Sequence, residues 1–386
     1  MLAMVAVMID TPALFYMATA LIALIAACRF QAWLSVKGLR FERVAPESAR
    51  VGDLVTVEIT AWSERKIRRP LVTLRDNLPP RMVLNGLTPS LPIAPAYDLP
   101  IRTQYQFRPL KRGRYRWSGV LVLGTDALGL VTKIKEYSTT PAEMTVLPRP
   151  IPVSVELPSA AGWGISEAES GQTRGAGIEP RGIRAYVNGD SLRHVHWRST
   201  ARTGQLLVKE FEAGTHAAAA FVLQREKGSE VGRGAHTSLE AMCGHAVFLA
   251  ENFLRQGARV EFPGIEESGS HFSPQERVNE IYEVLARVDA DQATSVSSEV
   301  FALAGRYPTG SILFVFLTVA DPGLPGAIST LHAAGTTVVP LVYNAADYAG
   351  GRNVASAADP NYLESLRQSG AAPVLMPSEV PNDDAR

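Results

Sequence analysis

Hydrophobic and polar positions are distributed along this chain in three distinct patterns. From Ala13 to Cys28 every position is uncharged and nearly all are apolar; Phe30, Ala32, Trp33 and Leu34 extend the run past Arg29. A membrane-spanning helix needs about 20 such residues, so a helix from Thr11 to Leu34 is predicted, with Pro12 at the first helical position where its missing N–H costs nothing. A secretory signal would begin with basic residues, but no Lys or Arg precedes Arg29. The run therefore reads as an anchor, residues 1–36. Arg29, Lys37, Arg40 and Arg43 follow it, and the positive-inside rule then places the bulk of the chain on the cytoplasmic side of a bacterial inner membrane, with a single pass. The apolar stretch Met1–Ile9 reads as the remnant of a second span.

From residue 37 to 150 the pattern has a period of two. Asp53–Ala61 alternates, with Val55, Val57, Ile59 and Ala61 on one side. Leu71–Leu74, Ile101–Phe107 and Gly119–Leu123 are further strands between Pro and Gly clusters. Short strands with turn punctuation predict a β-sandwich of immunoglobulin or fibronectin type. Residues 151–180 have little apolar content and many Gly and Ser, the composition of a linker and loop.

From 181 onward apolar runs alternate with helical periods. Leu206–Phe211, Ala217–Leu223, Ala258–Phe262, Ser311–Val319 and Thr336–Tyr343 are predicted strands. Thr237-x-x-Glu240 and Ser273-Pro274-x-Glu276 are capping boxes that open helices, and Gly257 ends the first of them. A third, short helix is expected near Pro325–Ala334. Alternating units of this kind imply a doubly wound α/β domain over 181–386, with functional residues at the carboxyl ends of its strands. The chain as a whole is then α+β and multidomain.

Charge changes this picture more than composition does. The 386 residues carry 38 Lys+Arg and 38 Asp+Glu, which argues against a nucleic-acid-binding chain. The balance is a sum of opposites. Residues 37–118 hold 16 basic against 7 acidic side chains, and residues 119–386 hold 21 against 30. A basic segment next to an anchor suits anionic lipid. Two cysteines, Cys28 and Cys243, make no disulfide framework, and Cys243 falls on the apolar stripe of a helix, where a core role is expected.

The densest polar motif is Arg181–Gly214. Asn188-Gly189-Asp190 signals a turn, and Asp190 is expected to cap a helix through Leu192–Thr200. That helix would put Arg193, Trp197 and Thr200 on one face with His196 beside them. Arg184, Arg193, Arg198 and Arg202 face Glu179, Asp190, Glu210 and Glu212 as partners for a charge network, either structural or docking. His196 near Asp190 and Glu212 also invites a hydrolase, with Ser199 or Thr200 as nucleophile, though the setting lacks a nucleophile elbow.

This motif resembles the signature of the bacterial "domain of unknown function 58" family. The matching positions are Arg184, Tyr186, Gly189, Asp190, Arg193, Trp197, Ala201, Arg202, Leu206, Val208, Lys209, Phe211 and Glu212, and Val195 stands where Ile is usual. Lys111-Arg112-Gly113-Arg114-Tyr115 and Asp126-x-x-Gly129-Leu130 are similar to patterns that close the family's β-domain. The resemblance implies a von Willebrand factor A-like C-terminal domain. It also implies a MoxR-type AAA+ ATPase as partner, with other von Willebrand A-domain membrane proteins as further candidates, in the assembly or maturation of protein complexes. The expected function is that of a membrane-anchored, noncatalytic interaction or adaptor protein with no cofactor. In a metal-binding von Willebrand A domain, D-x-S-x-S follows the first strand and supplies oxygen ligands. Here Gln224 takes the Asp position and Glu226 the first Ser position. Asp321 is the one later carboxylate, so no metal is expected in the usual place. The alternatives are a ligand-binding domain with a displaced metal site, or a hydrolase using His196.

Overall fold

The computed structural model describes residues 12–66, 71–83, 89–97, 99–155, 180–185, 196–211, 218–265, 273–308, 310–349 and 355–377. The chain divides into two compact units, Met1–Leu147 and Pro148–Arg386.

The first unit opens with α1 (Pro12–Ser35), which is 11% buried with a mean hydropathy of 1.9. At 1.5 Å per residue it is about 36 Å long. It is long and apolar enough to cross a membrane. Met1–Ile9, the expected second span, lies outside the described residues. Three residues later the chain enters a pair of sheets. One sheet is β1 (Leu39–Val44), β3 (Val55–Ser63) and β6 (Ile101–Phe107) in the order β1-β3-β6. The other joins β2 (Ser48–Arg50), β4 (Val72–Asp76), β5 (Ser90–Ile93), β7 (Gly113–Thr125) and β8 (Thr132–Leu147) in the order β2-β8-β7-β4-β5. Alternate residues of each sheet meet in one core, Phe41, Val57 and Ile59 against Leu74, Val122 and Met144. The expected strands are all present. The sequence reading missed β1, β2, β5 and β8, whose first half is exposed at nearly every position.

Two charged groups expected at the surface are inside. Arg43, grouped above with the juxtamembrane cations, is wholly buried against Asp76, with Nη2 to Oδ1 at 2.5 Å and Nε to Oδ2 at 3.0 Å. Its remaining N–H groups donate to the Trp117 and Gly119 carbonyls, and the Tyr105 hydroxyl donates to Asp76 at 2.6 Å. Burial pushes the Tyr105 phenol far up, and the Asp76 carboxylate adds to that. Arg43 and Tyr105 belong to one sheet and Asp76 to the other, so this group ties the layers together. Lys111 and Arg112 are also buried. The Tyr115 hydroxyl donates back to the Lys111 carbonyl at 2.8 Å, the arrangement of a tyrosine corner. The KRGRY motif is a folded corner, not a solvated basic run.

The second unit begins before the expected linker does. Ile151 N donates to Gly244 O, and Val155 is fully buried. A side chain at position 244 would stand 2.6 Å from Ile151 Cδ1, so Gly244 is what lets this strand of chain approach. β9 (Pro180–Ala185) pairs antiparallel with β10 (Leu207–Phe211), and α2 (Trp197–Thr203) lies between them in sequence. The main sheet is β11 (Ala218–Leu223), β14 (Arg259–Glu261), β15 (Ile312–Leu317), β16 (Thr337–Val342) and β17 (Val374–Leu375). It is wholly parallel, ordered β14-β11-β15-β16-β17. A two-stranded ribbon, β12 (Gly232–Arg233) and β13 (His236–Thr237), leads into α3 (Ser238–Arg255), capped by Thr237 as expected. α4 (Pro274–Ala286) carries the full Ser273–Glu276 capping box. α5 (Val296–Phe301), α6 (Leu324–Ala333), α7 (Ala345–Ala349) and α8 (Pro360–Gln368) complete the unit.

Both faces of this sheet are covered. Val222, Val315 and Leu317 point to a core shared with α5, α6 and α8. Their neighbours Phe221 and Phe314 point the other way, stacked at 5.1 Å and joined by Phe253 of α3 and Phe262. Cys243 is fully buried. In this sheet's own count the strand order is 2-1-3-4-5, so the direction of winding reverses between β11 and β15.

Candidate functional site

The point of reversal is where a doubly wound sheet leaves a crevice outside its carboxyl ends. Here that crevice is stitched by side chains. After β11, Gln224 turns its amide toward the end of β15. Its Oε1 accepts from Thr318 N at 2.9 Å and Val319 N at 3.0 Å, and its Nε2 donates to Val319 O at 3.0 Å. Next, Arg225 makes a forked contact with Glu299, 2.9 and 3.1 Å, and donates to Gly264 O. Burial pushes the Glu299 carboxyl up; Arg225 pulls against that rise, and nearby Glu226 adds to it.

Glu226 and Asp321 complete the arrangement. The N-terminus of α5 exposes N–H groups with no partner inside the helix. Glu226 Oε1 accepts from Val296 N at 2.6 Å, Asp321 Oδ2 from Ser297 N at 2.9 Å, and the Ser295 hydroxyl from Ser298 N at 3.3 Å. The other Asp321 oxygen accepts from Gly323 N at 2.8 Å. The Tyr362 hydroxyl donates to Asp321 O at 2.8 Å. Burial pushes that phenol up to about 12.

A hard divalent ion needs several free oxygen ligands. The amide at 224 is neutral, and the carboxylates of Glu226 and Asp321 already accept backbone N–H groups. The residues present do not fit such an ion, and among the described residues no cluster of three or more His, Cys, Asp or Glu side chains could hold one. Beside the crevice, past the ends of β15 and β16, lies an open cleft of about 500 Å³ walled by Ala320, Asn344, Ser356, Asp359 and Tyr362.

The signature motif is partly described. Arg184 pairs with Val208 and Ile183 with Lys209 across β9 and β10. Tyr186, Gly189, Asp190, Arg193 and Glu212 lie outside the described residues, so the expected charge network is not described. The helix expected over Leu192–Thr200 begins at Trp197 instead and runs to Thr203, and its cap is His196, not Asp190. His196 Nδ1 accepts from Ser199 N at 3.2 Å and stands 2.8 Å from Ser199 Oγ. His196 N donates to Leu207 O, and Leu207 N donates to Thr200 Oγ1. These bonds tie the start and the middle of the short helix to Leu207 of β10. The His196–Ser199 contact spans three residues and closes a helix end. It is a cap, with Nδ1 already engaged by a backbone donor. Trp197 is 65% exposed, and Arg202 is exposed in the last turn.

Residues 182–305 match the family model described as "Protein of unknown function DUF58". Over this segment, about a third of its length, the chain is similar to the DUF58 family. The DUF58 match takes in the β9–β10 hairpin, α2, Gln224 to Glu226 and the Ser295 cap, while Asp321 and Tyr362 lie beyond it. The family's description assigns no activity. No curated protein matches the chain. Among solved structures, the CARDB domain of a Pyrococcus furiosus protein is 16% identical, covering 26% of this chain and 91% of that one at a TM-score of 0.19. A complex of Zinc 2-glycoprotein and prolactin inducible protein from human seminal plasma is 16% identical, covering 28% and 93% at 0.20. The PKD domain of an M14-like peptidase from a Thermoplasmatales archaeon is 14% identical, covering 28% and 92% at 0.17. TM-scores this low carry no argument about DUF58.

Sequence reasoning named Gln224 and Glu226 as departures from a metal motif and Asp321 as its one later carboxylate. It missed what they do. The roles of Arg225, Glu299 and Tyr362 depend on contacts across 41 to 74 positions of chain, which no local pattern carries.

Proposed function

We propose that this protein is a membrane-anchored, noncatalytic adaptor. Its α/β unit would present the carboxyl-end face of the parallel sheet, together with the signature motif, to a cytoplasmic MoxR-type AAA+ ATPase. The observation that carries the reading is the use made of the polar groups at the switch point. Gln224, Glu226 and Asp321 are spent on fixing loops in place, which gives a preorganised surface, the property a docking face needs. The von Willebrand A-like character is supported by the parallel, doubly covered sheet and by the position of Gln224 to Glu226 directly after its first strand. The anchor rests on α1, and the inner-membrane, cytoplasm-facing placement rests on Arg29, Lys37 and Arg40 after its apolar run.

Capture of a MoxR-type ATPase from the same organism by the full chain in nanodiscs tests the proposal. Wild type captures the ATPase, and folded Asp190→Ala and Arg193→Ala variants lose it. No capture by wild type removes the partner. Unchanged capture by both variants removes the signature motif from the interface.

A further inference from the structure

The turn between β7 and β8 is built to leave its apolar side chains outside the fold. Asp126 accepts from Leu128 N at 3.0 Å and Val131 N at 2.6 Å, and Gly129 takes a left-handed conformation, φ +72°. This is the physical content of the D-x-x-G-L pattern. The two leucines it frames, Leu128 and Leu130, are 59% and 61% exposed. A turn tip in water would favour polar residues, so this one calls for a covering.

Its height along α1 is fixed. Ala127 N donates to Gln31 Oε1 at 3.2 Å. Gly124 lies so close to α1 that a side chain there would stand 1.9 Å from Ser35 Oγ. The Tyr137 hydroxyl donates to Val36 O. The Lys37 ammonium sits 3.9 Å over the Trp33 ring, the pairing of an interfacial aromatic and a snorkelling lysine, which for a spanning α1 sets the membrane–water boundary at this end. Gln31 precedes Trp33 by two residues, about 3 Å deeper along the helix axis. The turn bonded to it therefore lies on the membrane side of that boundary. Lys133 pairs with Gly124, on the hairpin face that meets α1, and Lys135 lies two residues on, over the Tyr137 ring at 4.4 Å.

We infer that the β7–β8 turn is a second membrane contact, seating Leu128 and Leu130 at the edge of the hydrocarbon beside α1 with Lys133 and Lys135 toward lipid phosphates. The occupant of this apolar tip is a lipid surface, because the tip continues the exposed apolar surface of α1 and its flanking charges are cationic. The inference rests on α1 spanning the membrane.

Fluorophore scanning of the full chain separates the two ideas. In a background of Cys28→Ser and Cys243→Ala, single cysteines at positions 22, 102, 128 and 130 carry an environment-sensitive dye. The protein is reconstituted in phosphatidylcholine–phosphatidylglycerol vesicles containing lipids with nitroxides at the headgroup or deep in the chain. Position 22, within α1, is quenched by the deep nitroxide, and position 102, on β6, by neither. Positions 128 and 130 show blue-shifted emission and are quenched most by the headgroup nitroxide. Quenching at 22 without any at 128 and 130 overturns the turn contact alone. Absence of quenching at 22 overturns the anchor, and the turn contact with it.

Discussion

Removing Asp76 tests the proposition that one buried ion pair joins the two sheets. Asp76→Ala leaves the Arg43 guanidinium with no counter-charge in a site where both side chains are wholly inaccessible. It also strips the Tyr105 hydroxyl of its acceptor. Breaking a buried pair from one side costs about 3–5 kcal/mol, and the lost Tyr105 bond adds about 1 kcal/mol. Through the β-unit this is a rise of about three to four orders of magnitude in amide exchange. The assay is peptide-resolved hydrogen exchange of the full chain in detergent, read on β3 and β4. Peptides from the α/β unit serve as the internal control, since a two-unit chain has no single unfolding midpoint. The double variant Arg43→Met, Asp76→Leu removes both charges and keeps volume, so it recovers most of the lost protection. Wild-type exchange in Asp76→Ala, or a double variant no better than the single one, refutes the argument.

Three further outcomes follow from the geometry. His245 is fully buried, with Nδ1 2.9 Å from the Tyr343 hydroxyl, and burial pushes its imidazole down to about 4. The unfolded chain protonates it below about 6.5, so the α/β unit is most stable above that pH and loses about 3 kcal/mol as pH falls toward 4; exchange measured across this range is steep in wild type and flatter in His245→Gln, and equal slopes would contradict the assignment. Gln224→Ala orphans the Thr318 and Val319 N–H groups and costs about 1–3 kcal/mol, seen as faster exchange at the end of β15 with the β-unit unchanged. Gly124→Ala forces Ser35 and Val36 off β7 at an overpacking cost of about 1–3 kcal/mol, seen as loss of protection across 35–38; retained protection would show that the close approach is not needed.

The elements legible from sequence were those whose signal is local. Ser273 and Glu276 cap α4 through atoms three residues apart, and the apolar run ending at Leu317 is a central strand whatever covers it. β1 was passed over because Leu39–Val44 interleaves three charges, and one of them, Arg43, breaks the rule that charge faces water. Its partner is 33 residues away. The first half of β8 was passed over because only Ile134 and Tyr137 break its polar run; its pairing comes from β7. His196 was read as a face residue of the helix and not as its cap, because the contact that holds it comes from Leu207 on the next strand, which grips both His196 and Thr200. At the switch point the residue types were read and their use was not, since a carboxylate looks the same in sequence whether it faces a cation or a helix end.

Only Val36, Lys37 and Gly38 separate α1 from β1, and Gln31, Ser35 and Val36 are themselves held by the hairpin. The joint has no slack. A pull or a twist applied to the sandwich would pass into α1 as load rather than being taken up by a tether, and a change in the tilt of α1 would swing the sandwich as a lever swings its far end.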